Sequence, residues 1–92
     1  METRFDPAKD AKNIANHKMS LAVFFEFDLT QSVTLPAKTV KGEKREMVIT
    51  ERNGAVLIAI VTERNGQLRP ISVRPASDKE ERAYADFKAG RP

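Results

Sequence analysis

The clearest apolar pattern in this chain is the unbroken run Val56-Leu57-Ile58-Ala59-Ile60-Val61, which lies between Asn53-Gly54 and Asn65-Gly66. A short continuous run between turn signals predicts a strand buried on both faces at the centre of a sheet. Asn-Gly supplies two residues that tolerate positive φ, so each pair predicts a tight hairpin. Two such pairs twelve residues apart predict an antiparallel meander, with residues 44–51 as the strand before the run and another strand after Gly66. Pro70 has no N–H to give to a ladder, so it belongs at a sheet edge or a bulge. A short strand over residues 31–36 and a polar loop over 37–43, containing Gly42, complete a sheet of three to four strands.

Helical spacing appears on either side of this block. Asp6-Pro7 is a helix start, since Asp6 accepts from orphan N–H groups and Pro7 is pre-set for the first helical position. The helix predicted over 7–17 has a narrow apolar stripe of Ala8, Ala11, Ile14 and Ala15 that would pack on the sheet, leaving Lys9, Lys12, Asn13 and Asn16 outward or sideways. Ser20 is a cap for a second short helix in which Leu21, Phe24, Phe25 and Phe27 form the aromatic half of the core; a strand over 21–27 is the alternative, because aromatics and Val23 favour strands. Near the C-terminus, Ser77-Asp78-Lys79-Glu80 matches the capping box, Ala83, Tyr84 and Phe87 lie at helical spacing, and Gly90 stands where a helix can end. The expected class is α+β: an antiparallel sheet with two N-terminal helices and one C-terminal helix, in a single domain over residues 1–92.

Composition narrows the chemistry. With 92 residues and 40% hydrophobic content the chain supports one modest core. It has no apolar run of about 18 residues and no export signal at Met1-Glu2-Thr3-Arg4, so a cytoplasmic protein without membrane contact is expected. Cysteine is absent and histidine occurs once, at His17, which leaves no thiolate nucleophile and no conventional metal cluster. Metal-free, cofactor-free chemistry is expected.

Charge is unevenly placed. Residues 1–40 hold five basic and five acidic side chains, residues 41–74 seven and four, and residues 75–92 four and four. The whole excess of +3 lies in the middle of the chain, a field that attracts polyanions and equally suits an acidic protein. Within it, Arg69 and Arg74 lead into the capped helix. Backbone N–H groups at such an end favour anions, so the junction is a candidate phosphate site. Ser72 and Arg74 share strand parity, whereas Arg69 falls on the other face unless Pro70 marks a bulge.

Phe5-Asp6-Pro7-Ala8-Lys9, Asn13, Asn16-His17 and Ser20, then Gly42-Glu43-Lys44-Arg45 and Val61-Thr62-Glu63-Arg64, and finally Ile71-Ser72-Val73-Arg74 with Ala76, Glu80 and Tyr84 follow one another in an order and spacing that resembles the BrnT toxins of bacterial toxin–antitoxin pairs. The resemblance implies a RelE-like fold and a ribonuclease that arrests translation. It also implies a BrnA-type antitoxin, in a complex of two toxins and two antitoxins that contacts DNA through the antitoxin alone.

Metal-independent RNA cleavage needs a base for the 2′-hydroxyl, charge stabilisation at phosphorus and an acid for the leaving oxygen. His17 or Glu43 is the candidate base or acid, Arg74 and Arg69 the candidate phosphate ligands, with Tyr84 and Ser72 as further donors. Lys9, Lys44, Arg45 and Arg64 would guide the RNA. Structural competitors are a helix C-terminal cap for His17, an ion pair with a neighbouring acid for Arg74 and Arg69, core packing for Tyr84, and solvated charge for Glu43, Lys44, Arg45 and Arg64; the capping box likewise accounts for Glu80. The reading from a different class is a non-catalytic module that binds antitoxin, RNA or ribosome through the same basic strip.

Overall fold

A computed structural model describes residues 4–90. Helix α1 spans Pro7–His17 and strands β1 to β4 span Val33–Val40, Glu43–Arg52, Ala55–Arg64 and Gln67–Pro75; helix α2 spans Asp78–Lys88. The strands form one antiparallel sheet in the order β1-β2-β3-β4. Both Asn-Gly pairs make the expected hairpins: Asn53 and Gly54 have φ of 52° and 82°, and Asn65 and Gly66 of 53° and 78°, the two positive values of a type I′ turn. The apolar run is central, with β3 paired on both sides. Among the described residues no helix is long and apolar enough to cross a membrane.

Three expectations are corrected. First, residues 37–43 are not a loop, since β1 continues to Val40 and turns through Lys41 and Gly42, with φ of 50° and 79°. This is a third hairpin of the same type, missed because a lysine there lacks the short polar side chain that marks αL positions. Second, the segment after Ser20 is a 3₁₀ helix, Leu21–Glu26, followed by another at Leu29–Gln31. Its bonds span three residues, Val23 N–H to the Ser20 carbonyl and Phe27 N–H to the Phe24 carbonyl. Residues three apart therefore eclipse, which sends Leu21, Phe24 and Phe27 together into the core.

Third, α1 is turned over. Ala8, Ala11 and Ala15 are exposed and Ile14 is 46% exposed, while Asn13 is buried. The helix docks instead through the polar face 6-10-13-17. Asp10 Oδ1 accepts from the Ser20 hydroxyl at 3.0 Å and from the Leu21 N–H at 2.7 Å, and Asn13 binds the sheet edge. Hydrogen bonds to otherwise orphaned backbone groups outweigh the small gain from burying three alanines and one isoleucine.

The sheet separates two apolar layers. On one face Leu21, Phe24 and Phe27 pack against Val48, Leu57, Ala59, Val61 and Val73. On the other, Tyr84 of α2 packs against Ile49 and Ile58. Helix α1 lies along the outer edge of β4, and this placement opens a cleft between the two.

Candidate functional site

Strand β4 prepares its edge with an irregularity. Ile60 pairs with Ser72 and Val61 with Pro70, so Ile71 has no partner. The extra residue is a β-bulge, and Pro70 sits beside it on an edge strand, where its missing N–H costs no ladder bond. Because paired residues share a face, the pairs Ile58↔Arg74, Ile60↔Ser72 and Thr62↔Arg69 put Arg69, Ser72 and Arg74 on one face. The bulge thus settles the parity of Arg69 on the side of Ser72.

Past the bulge, Asn13 completes the edge. Its Nδ2 donates to the Val73 carbonyl at 2.8 Å and to the Met19 carbonyl at 2.7 Å, while its Oδ1 accepts from the Val73 N–H at 3.1 Å and from the Ser72 hydroxyl at 3.4 Å. One side-chain amide takes both main-chain groups of an edge residue, as a fifth strand would. An Asn turned the other way would set Oδ1 against two carbonyls, so the network fixes its orientation.

Held there, α1 and the bulge enclose a cleft of about 320 Å³ lined by Lys9, Lys12, Asn16, His17, Ile71 and Ser72, with Asn13 at its back. Among the described residues that line it there is no carboxylate, although the charge of Lys9 reaches Glu43. His17 stands in the last turn of α1, but the cap itself is Lys18, with φ of 56° and its N–H on the Ile14 carbonyl. The imidazole is therefore left to line the cleft.

Glu43 begins β2. Its Oε2 accepts from Arg64 at 3.1 Å, and Arg45 lies 3.6 Å from its Oε1. The Arg64 hydrogen bond, with the charges of Arg64, Arg45 and Lys9, holds this carboxyl below its ordinary range. The influence of Lys9 links this cluster to the cleft. Lys44 and Arg45 also line a separate concavity of about 460 Å³, whose walls include Glu46 and Glu63; its mixed charge makes it a poorer anion site.

Arg74 is engaged otherwise. Its Nη1 and Nη2 donate to Glu80 Oε1 and Oε2 at 2.7 and 2.8 Å, and Glu80 Oε1 also accepts from the Ser77 N–H at 2.9 Å. With the Ser77 hydroxyl accepting from the Glu80 N–H the capping box is complete. Arg74 hydrogen bonding, then the Ser77 N–H, holds the Glu80 carboxyl down at about 2, and the same bond raises the guanidinium of Arg74. Tyr84 is 6% exposed in the α2 layer, with the Lys88 ammonium 5.9 Å from its ring centre.

Of the anticipated residues, the fold brings Lys9, His17 and Ser72 into one cleft and sets Glu43, Arg45 and Arg64 in a linked cluster. It turns Arg74 towards Glu80 and places Tyr84 in the core. Lys12, Asn13 and Asn16 are not among the site residues expected from sequence, although 9, 12, 13, 16 and 17 share one helical face.

Set beside known proteins, residues 5–80 fit the family model described as the ribonuclease toxin BrnT of type II toxin–antitoxin systems. No curated protein matches the chain at a significant level.

Proposed function

This chain belongs to the BrnT family of type II toxin–antitoxin ribonuclease toxins, and on that premise we propose that it cleaves RNA in the cleft between α1 and β4. The observation that carries the proposal is the lining of that cleft: Lys9, Lys12 and His17 gather on one helical face beside Ser72, with no carboxylate among the described lining residues. A phosphodiester supplies the negative charge that the walls do not.

In this reading His17 exchanges protons with the reacting oxygens, and Lys9 and Lys12 stabilise the charge that develops on phosphorus. The 2′-oxygen attacks the adjacent phosphorus as its proton is removed. The bond to the 5′-oxygen breaks as that oxygen is protonated, leaving a 2′,3′-cyclic phosphate and a 5′-hydroxyl. Ser72, whose hydroxyl donates to Asn13 at 3.4 Å, gives the cleft a small polar wall. Glu43 anchors Arg64, which with Lys44 and Arg45 guides the strand. Arg74 belongs to the helix latch rather than to the chemistry.

The biological setting follows the family. We read the chain as a cytoplasmic toxin that arrests translation and is neutralised by a BrnA-type antitoxin in a 2:2 complex, with DNA contact left to the antitoxin. The deciding experiment incubates purified protein with single-stranded RNA in EDTA. Cleavage with cyclic phosphate ends is expected; an absolute requirement for added Mg²⁺ would sink the proposed chemistry. Intact RNA with salt-sensitive binding would make the chain a binding module instead.

A further inference from the structure

The sheet face that carries α2 is covered at one end only. Paired residues share a face, so the strands align Val33, Ile49, Ile58 and Arg74 in one row and Leu35, Met47, Ile60 and Ser72 in the next. Helix α2 occupies the first row, with Tyr84 on Ile49 and Ile58 and Glu80 on Arg74. The second row stays open: Leu35 is 41% exposed and Met47, Ile60 and Ser72 are half-buried. Phe87, 58% exposed, closes a hollow of about 100 Å³ at the β1 end with Leu35, Val33 and Ile49, and no charged residue is among the described lining.

The other end of the row is cationic. Ser72 stands in the α1–β4 cleft with Lys9 and Lys12. Asp10 is turned to Leu21, in the layer on the opposite face of the sheet, so Lys9 and Lys12, on the other flank of Asn13, incline to the α2 face. The charge of Lys9 accordingly reaches Glu43, which shares strand parity with Met47. Arg45, two residues before Met47 on the same face, is drawn to Glu43 at 3.6 Å. One strip thus runs from an uncharged apolar hollow to a lysine-lined cleft, across three strand spacings or about 14 Å.

This gradient selects its occupant. An RNA strand brings a phosphate with every nucleotide, and at the β1 end no cation lines the hollow to meet one. A second copy of this basic chain sets lysine against lysine. An amphipathic helix of roughly ten residues spans the strip at about 1.5 Å per residue, and acidic residues at one end of it meet the lysines.

We propose that an acidic amphipathic helix of the antitoxin docks beside α2 along this strip, its apolar side chains on Leu35, Met47, Ile60 and Phe87 and its carboxylates on Lys9 and Lys12. That the partner is an antitoxin rests on the family; that docking silences the protein rests on the reading of the α1–β4 cleft as the RNA-cleaving site. Neutralisation is then competition between carboxylates and phosphates for the same lysines.

The test measures the affinity of the purified protein for its cognate antitoxin and for a non-cleavable 2′-O-methyl RNA of roughly twelve nucleotides, a length one binding groove covers. In L35S/F87S the antitoxin affinity falls about a hundredfold, about tenfold for each anchor, while RNA affinity and RNA cleavage are unchanged. F87L keeps most of the antitoxin affinity, and L29S, which removes an exposed apolar side chain beside Phe24 and Phe25 in the opposite layer, alters neither partner. Excess antitoxin displaces the RNA from the wild type. Should the double variant prove unfolded by its melting curve, F87S alone is read in the same way, with a loss of about tenfold.

Unchanged antitoxin affinity in folded L35S/F87S overturns the proposal. So does weakened RNA affinity with antitoxin binding intact, which would give the strip to RNA, and so does a wild-type dimer that the double variant dissolves while antitoxin binding persists. A ternary complex of protein, antitoxin and RNA overturns the competition. Antitoxin binding that depends on Leu35 and Phe87, in a wild type that leaves cleavable RNA intact, sinks the cleavage reading alone.

Discussion

Strand β4 meets cations in two places, and they are built differently. At its C-terminal end the fold supplies Arg74 with its own counter-ion: both terminal nitrogens meet the Glu80 carboxylate, which also closes the capping box of α2. At the bulge, Lys9, Lys12 and His17 line a cleft with no acid among its described lining residues. The first arrangement is complete without a ligand, and the second gains from an anion. In a basic protein, a cation's availability depends less on its own identity than on whether the chain places a carboxylate within reach.

The largest effect that would break this contrast is catalytic. His17→Ala is expected to lower RNA cleavage by about 10²- to 10⁴-fold with little change in melting temperature. Arg74→Ala is expected to lower cleavage far less and to lose stability instead. Cleavage assays on both variants, with melting curves beside them, decide it; the reverse ranking would move the chemistry to the junction.

Next in size is the edge that builds the cleft. Asn13→Leu leaves the Val73 N–H and carbonyl and the Met19 carbonyl without their partner, at an expected cost of about 2–4 kcal/mol in urea unfolding. If stability is unchanged, the amide does not hold α1 on β4.

A smaller effect belongs to the latch. Glu80→Gln is expected to cost about 1–2 kcal/mol at neutral pH, less than its shift would give in a dry interior because the pair is partly solvated. The sign follows from the carboxyl being lower in the folded protein, about 2 against an ordinary 4.5. Its contribution is complete above 4.5 and fades as pH falls towards about 2. Urea unfolding of wild type and variant should therefore differ at pH 7 and converge towards the acid end of that window.

The smallest expected change separates anchor from base. Glu43→Gln removes a negative charge beside Arg64, so RNA affinity should rise about two- to fivefold at low ionic strength and the gain should vanish near 1 M salt. Measured beside cleavage, a loss of about 10² or more would identify Glu43 as the base and return Arg64 to a supporting role.

Much of the fold was legible because its signals are local. Asn53-Gly54 and Asn65-Gly66 fix their turns through φ preferences within two residues, and Ser77 and Glu80 satisfy each other across one helical turn. The candidate site was legible only in its ingredients. Lys9, His17, Ser72 and Arg74 are all recognisable as chemistry in the sequence, and only the structure shows that Arg74 pairs with Glu80 while the other three share a cleft.

By itself the sequence determined the meander, the buried central strand and the capped last helix, because turn chemistry, apolar continuity and capping act between near neighbours. Tertiary structure alone decided which face of α1 meets the sheet. The apolar stripe pointed one way, yet Asn13 pairs with Val73, sixty residues on, and two buried main-chain groups needing partners outweighed three alanines and one isoleucine. That reversal turns Lys9, Lys12 and His17 towards β4 and makes the cleft.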